Sequence, residues 1–260
     1  MKKAERLSKI YDLLISQGEV NVEDLREKFG VSSVTIRNDL NQLEAEGCIQ
    51  RTYGGAVLTQ PVNQAFLPRS IIRSEILQFG RDKEAIALVA ARDFVKDGDW
   101  IFIGCGDTCA AVAQALINRR VNVVTNSILV AAILSMNPNA VVQMTGGTLC
   151  GYDRHFLYGD QFVRALEGIH VKTAFLGASG ADFKGGFTSY SDFERSIFEM
   201  VHQVSDQMIF VLGSSKFGTT SFLRIAPLDI ADAVISDDHM PEEYQAYFQA
   251  HDISVALAKC

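Results

Sequence analysis

The stretch Val20–Gly55, VNVEDLREKFGVSSVTIRNDLNQLEAEGCIQRTYGG, constrains this chain more than any other. Apolar residues recur at helical spacing twice within it, with a stop between. Asn21 is placed to cap a helix in which Val22, Leu25 and Phe29 share a face. Gly30 ends that helix, since glycine adopts the left-handed backbone a helix terminus needs. After Val31, Ser32 caps a second helix whose Ile36, Leu40 and Leu43 recur at i, i+4, i+7 and point inward. The opposite face carries Val34, Arg37, Asn38 and Asn41, with Ser33 and Thr35 near its start. A hydrogen-bonding face with no apolar partner suits a major groove, whose base edges present donors and acceptors. Gly47 is expected to end this helix. Cys48–Thr52 then reads as a strand, Tyr53-Gly54-Gly55 as a turn and Ala56–Leu58 as the return strand. Arg51 on such a wing would lie beside a phosphate backbone. A helical hairpin that serves only dimerisation is the alternative. Ahead of this stretch, Ala4–Gln17 predicts a helix whose Leu7, Ile10, Tyr11 and Leu14 close a three-helix core.

The matched positions are specific. Val31-Ser32, Thr35-Ile36-Arg37, Asp39-Leu40, Leu43-Glu44, Gly47, Arg51 and Tyr53-Gly54-Gly55-Ala56 follow one another in a fixed order. In this the run from Lys3 to Leu58 resembles the N-terminal domain of DeoR-type bacterial transcriptional repressors. The resemblance implies a winged helix-turn-helix that binds double-stranded operator DNA through Ser32, Ser33, Val34, Thr35, Arg37, Asn38, Asn41, Arg51, Tyr53 and Gly54. Many members carry a second arginine where this chain has Asn38, which bears on the preferred operator sequence.

Charge bounds how such binding can work. The chain has 260 residues and a net charge of −7, so it is no charge-driven nonspecific binder. Its first 58 residues hold eight basic against nine acidic side chains, so positive groups must gather on one face. Oligomerisation, to a homodimer or tetramer, would add contacts. A hydrophobic fraction of 48% supports a sizeable core, and the length favours two domains. No apolar run is long enough to span a bilayer, and MKKAERLSKI leads into an amphipathic helix, so a cytoplasmic protein without a membrane partner is expected. Five scattered cysteines (Cys48, Cys105, Cys109, Cys150, Cys260) show no zinc spacing and read as reduced thiols, and neither metal nor cofactor is expected.

Thr59–Ser70, with Pro61 and Pro68, reads as a linker, extended to residue 82 by an ambiguous segment from Ile71. The expected division is 3–58, a 59–82 linker and 83–260. From Lys83 onward helices alternate with short, continuous apolar strands, Trp100–Ile103, Asn122–Thr125, Ala140–Met144, Thr173–Leu176, Met208–Leu212, Ala233–Ile235 and Ile253–Leu257. Strands of that kind predict an α/β domain with a mostly parallel sheet buried on both faces. Small and polar residues fall where strands end, and ligands of open α/β sheets bind at those carboxyl ends, where backbone N–H groups and helix N-termini can face a phosphate. The candidate effector-binding residues are Gly104, Gly106, Asp107, Thr108, Thr125, Asn126, Ser127, Gly146, Gly147, Gly177, Gly180, Asp192 and Lys216, the last being the obvious cation.

These loops also resemble the C-terminal effector domain of the DeoR family, whose fold is related to ribose-phosphate and glucosamine-phosphate isomerases. Thr125-Asn126-Ser127, Gly146-Gly147 and Ser214-Ser215-Lys216-Phe217-Gly218 carry the resemblance. It implies a repressor of a sugar uptake or catabolism operon, released by a sugar-derived ligand, phosphorylated or not. The family usually has Asp at Gly104, Ser or Thr at Asp107, Glu at Asp192 and Asp at Gly213. Asp107 places a negative charge where the family often meets a phosphate. The alternative is a sugar-phosphate isomerase with an added helical domain. Isomerisation needs a paired base and acid, and with Gly104 and Gly213 in place of carboxylates, no catalytic residue is expected. Asp107, Asp182, Asp192, Glu194 and His155 remain without evidence that any two face each other. An empty sensor domain on a DNA-binding scaffold is a third reading.

Overall fold

The computed structural model describes residues 3–45, 49–58, 79–149 and 156–260, and the chain divides into two units, Met1–Gln78 and Phe79–Cys260. The expected helix stop at Gly47, Cys48, Cys150, His155, most of the linker and the ambiguous segment from Ile71 lie outside the described residues.

In the N-terminal unit, α1 (Lys3–Gln17), α2 (Val22–Phe29) and α3 (Ser33–Ala45) enclose a core of Leu7, Ile10, Leu14, Leu25, Ile36, Leu40 and Leu43. Asn21 caps α2 by accepting the Glu23 N–H at 2.8 Å. Gly30 closes it with φ 63°, its N–H donating to the Arg26 carbonyl at 2.9 Å. Ser32 Oγ accepts the Thr35 N–H at 3.2 Å at the start of α3. The hairpin is β2 (Ile49–Thr52) and β3 (Gly55–Leu58). A third strand, β1 (Glu19–Asn21), pairs antiparallel with β3, which the sequence did not reveal. A Cβ at Gly55 would lie 2.0 Å from the Val20 carbonyl oxygen, so only glycine lets these strands approach. The helices are also tied by a buried ion pair, in which the Arg6 guanidinium donates to both Asp39 carboxylate oxygens at 2.6 and 3.3 Å.

The second unit runs α4 (Arg81–Asp93), β4 (Trp100–Ile103), α5 (Asp107–Ala115), β5 (Asn122–Thr125), α6 (Ile128–Leu134), β6 (Val141–Met144), β7 (Thr148–Leu149), β8 (Leu157–Tyr158), α7 (Asp160–Leu166), β9 (Val171–Leu176), β10 (Gly180–Asp182) and β11 (Gly186–Ser189). It continues with α8 (Asp192–Val204), β12 (Ser205–Val211), β13 (Leu223–Ala226), β14 (Ala233–Asp237), α9 (Glu242–Ala250) and β15 (Ser254–Ala258). A parallel seven-stranded sheet has the order β15-β14-β12-β9-β4-β5-β6. The chain proceeds from β4 to one edge, returns to place β9 beside β4, and proceeds to the other. The topological switch point therefore lies between β4 and β9.

Central strands are buried on both faces, with Phe102, Val124, Phe175, Phe210 and Ile235 fully enclosed. Strand β6 departs from the expectation of burial. It is an edge strand with Val141 53% exposed, because among the described residues one flank has no neighbouring strand, and apolar content alone does not reveal edge position. The antiparallel trio β10-β11-β13 and helix α9 also escaped the sequence reading.

Candidate DNA-reading face and sensor cavity

On α3 the buried and exposed residues separate cleanly. Ile36, Asp39, Leu40 and Leu43 face inward, while Val34, Arg37, Asn38 and Asn41 form one solvent-facing stripe. Val34 is 62% exposed, an apolar group set among polar ones as a thymine-methyl contact would require. Ser32 and Thr35 share a hydroxyl hydrogen bond of 2.9 Å at the helix start, and Ser33 is half-buried. Tyr53 stands fully exposed at the wing tip, where Gly54 turns the chain with φ 91°. Arg51 does more than point at solvent. Its guanidinium donates to Asn41 Oδ1, to the Gly55 carbonyl at 3.1 Å and to the Arg37 carbonyl at 3.4 Å, and its backbone N–H donates to Glu44 Oε1 at 2.8 Å. Arg51 thus braces the wing against the exposed helix, and Asn41 presents its NH2 group with its carbonyl already engaged.

In the second unit a cavity of about 410 Å³ opens at the switch point, lined by Asp82, Lys83, Cys105, Gly106, Asp107, Thr108, Cys109, Gly177, Ala178, Ser179, Glu194, Gly213, Ser215 and Lys216. Of the candidate effector residues it gathers Gly106, Asp107, Thr108, Gly177 and Lys216. Gly104 borders an adjoining small hollow, and a Cβ there would press on the Leu176 side chain at 3.0 Å.

The others are structural neighbours of the sheet. Thr125 Oγ1 donates to the Ile103 carbonyl at 2.6 Å and accepts the Ser127 N–H at 2.9 Å, tying β5 to β4. Ser127 caps α6 through the Val130 N–H. Asn126 donates to the Leu157 carbonyl at 3.1 Å, leaving its buried Oδ1 without a partner among the described residues. Gly146 and Gly147 turn the chain into β7, and a Cβ on Gly147 would lie 2.4 Å from the Tyr158 carbonyl oxygen. Gly180 opens β10, equally close to the Thr219 carbonyl. Asp192 sits exposed in the first turn of α8, outside the cavity. The carboxylate that α8 brings to the cavity is Glu194, one side of which accepts the Ser189 hydroxyl.

Asp82, Lys83, Ser179, Glu194 and Ser215 are the further polar residues of the lining and were missed as ligand residues. Asp82 and Lys83 open α4, which packs beside α5 and β14, a tertiary placement with no local signal. Lys83 Nζ lies 3.5 Å from Asp107 Oδ2. Behind Gly213, Asp237 Oδ2 accepts the Ser214 N–H at 2.6 Å. Burial acts to raise the Asp237 pKa, but hydrogen bonds from Ser214 and His239 outweigh it and hold the carboxyl below the usual range. Burial pushes the Cys109 thiol up to about 12, so it stays protonated and inert. Asp237, Asp238 and His239 bring possible ligand atoms within 4.8 Å of one another, yet the Asp237 oxygens already accept the Ser214 and His239 backbone N–H groups, so the trio clasps its loop. Among the described residues no helix is long and apolar enough to cross a membrane.

Comparison with known proteins agrees with this division of labour. Residues 6–62 match the model of the DeoR-like helix-turn-helix domain, and residues 79–238 that of the DeoR C terminal sensor domain. The chain is 33% identical over 238 residues to the uncharacterized HTH-type transcriptional regulator YulB of Bacillus subtilis, covering 91% of this chain and 90% of that one. It is 32% identical to the putative aga operon transcriptional repressor of Escherichia coli O157:H7 (92% and 88% covered) and 30% identical to the glycerol-3-phosphate regulon repressor of Escherichia coli K12 (99% and 100% covered). Among solved structures, ribose 5 phosphate isomerase A from Neisseria gonorrhoeae aligns over 53% of each chain at 17% identity with a TM-score of 0.38, a likeness too slight to bear on activity.

Proposed function

The chain belongs to the DeoR family of helix-turn-helix transcriptional regulators, and we propose that within it this protein represses an operon for sugar uptake or catabolism and is released by a sugar-derived ligand. The α3 stripe reads operator DNA and the switch-point cavity receives the ligand. One observation carries the reading: Val34, Arg37, Asn38 and Asn41 face solvent together on a helix whose other side is fully packed. The names of the aga and glycerol-3-phosphate relatives support the sugar-linked part. A ligand changes DNA affinity only by binding two arrangements of the protein unequally. Gly104 and Gly213 stand at strand ends where the related family carries acids, which supports reading the chain as a regulator and not as an isomerase.

A gel-shift titration on the DNA flanking this protein's own coding region tests the reading. Arg37→Ala removes a candidate bidentate base contact and should weaken specific binding by about 1–3 kcal/mol. Equal affinity of variant and wild type would remove α3 from the interface.

A further inference from the structure

Two backbone features of an α/β switch point ordinarily hold a phosphate: the N-terminus of the helix after a strand, and the amide groups of a small-residue turn. In this cavity the protein's own carboxylates stand at both, Asp107 by its negative charge in the first turn of α5 and Asp237 by a hydrogen bond. Asp107 is the first residue of α5, directly after Gly106, and it also pairs with Lys83 at 3.5 Å. At the Gly213–Lys216 turn the Ser214 N–H is taken by Asp237 at 2.6 Å. A Cβ at Gly213 would lie 3.5 Å from an Asp82 oxygen and 3.8 Å from an Asp237 oxygen, so two carboxylates crowd the place where a ligand's anionic end would reach the turn.

We propose that the cavity takes a polyhydroxylated ligand that carries no phosphate, and that Asp107 and Asp237 are the groups that exclude one. The inference rests on the cavity being the sensor site. Lining carboxylates Asp82, Asp107 and Glu194 outnumber Lys83 and Lys216, with Asp237 behind them. A phosphate monoester would bring a further charge of about −1.5 to −2 into this field. Carboxylates accept hydrogen bonds and cannot donate them when ionised, which matches the hydroxyl groups of a free sugar or polyol. Lys216 supplies a donor for a ring or carbonyl oxygen. The volume of about 410 Å³ suits a small ligand of this class.

The test is titration calorimetry of the full chain with inorganic phosphate and with ribose 5-phosphate, on wild type, Asp107→Ser and the isosteric Asp107→Asn. The Asp107 side chain is 67% exposed, so neither change disturbs packing, and circular dichroism checks this. Either variant releases Lys83 and should bind phosphate about tenfold or more tightly than wild type. A parallel thermal-shift screen should find free sugars or polyols that raise the wild-type melting temperature more than their phosphate esters do. Phosphate affinity unmoved by both variants, an ester that stabilises wild type more than its parent sugar, or a wild type that responds to no free sugar or polyol would each overturn the proposal. Operator binding, measured on the same samples, separates its failure from failure of the regulator reading: intact binding leaves that reading standing.

Discussion

Replacing Arg6 by Met tests the buried tie between α1 and α3. The Arg6 and Asp39 side chains are 8% and 1% exposed, and the guanidinium contacts both carboxylate oxygens. Arg6→Met leaves the Asp39 carboxylate buried and unpaired beside Leu40 and Leu43, a change that costs about 3–5 kcal/mol. The helix-turn-helix domain, residues 6–62, is stabilised by only about 3–9 kcal/mol, from roughly 0.05–0.15 kcal/mol per residue. The N-terminal unit of the variant should therefore be largely unfolded or close to it, and operator binding lost with it. The sole tryptophan, Trp100, lies in the other unit, so its fluorescence reports that unit alone while far-UV circular dichroism reports both. In a urea titration the circular-dichroism midpoint of the N-terminal helices should fall by about 2–3 M, taking a slope of roughly 1.5 kcal/mol per M, with the Trp100 transition unmoved. Arg6→Met with Asp39→Leu should recover most of the loss, because an apolar pair of similar volume needs no compensating charge. A loss below about 1 kcal/mol in the single variant, or no recovery in the double, would refute the view that pairing within the core sets the cost.

Lys216→Ala should bind operator normally without ligand yet fail to release when ligand is added. In wild type, operator and ligand should weaken one another reciprocally by about 5- to 150-fold in calorimetry, and independent binding would dismiss the switch. Gly55→Ala forces a Cβ to within 2.0 Å of the Val20 carbonyl and should cost about 1–3 kcal/mol by overpacking, seen as early exchange of the β1 and β3 amides. Cys109 should resist thiol reagents in the native state at pH 8. Its pKa is raised from 9.0 to about 12, so its contribution is fully present below pH 9 and is lost as pH rises toward 12, while the unfolded chain ionises; equal thiol reactivity in native and denatured protein would contradict the burial.

What the sequence determined by itself is what short-range chemistry controls. Asn21, Gly30 and Ser32 cap or close their helices as expected, because each bond spans only a few residues. The inward and outward faces of α3 follow from the 3.6-residue period, and the central strands from their continuous apolar runs. Glycine-rich strand ends marked the rim of the sheet for the same reason. The tertiary structure alone decided which of those ends share a cavity. Strand order places β9 between β4 and β12, so Asp107, Gly177 and Lys216 meet, while Thr125, Asn126 and Ser127 on the far side of β4 are absorbed by capping and cross-strand bonds. Asp82 and Lys83 reach the site because α4 packs over the sheet, and Glu194 rather than Asp192 enters because two positions along a helix turn a side chain by about 200°. Arg6 and Asp39 stand far apart in sequence and find each other only once the core closes. Pairings between distant residues depend on how elements pack, and no local pattern of residues encodes that.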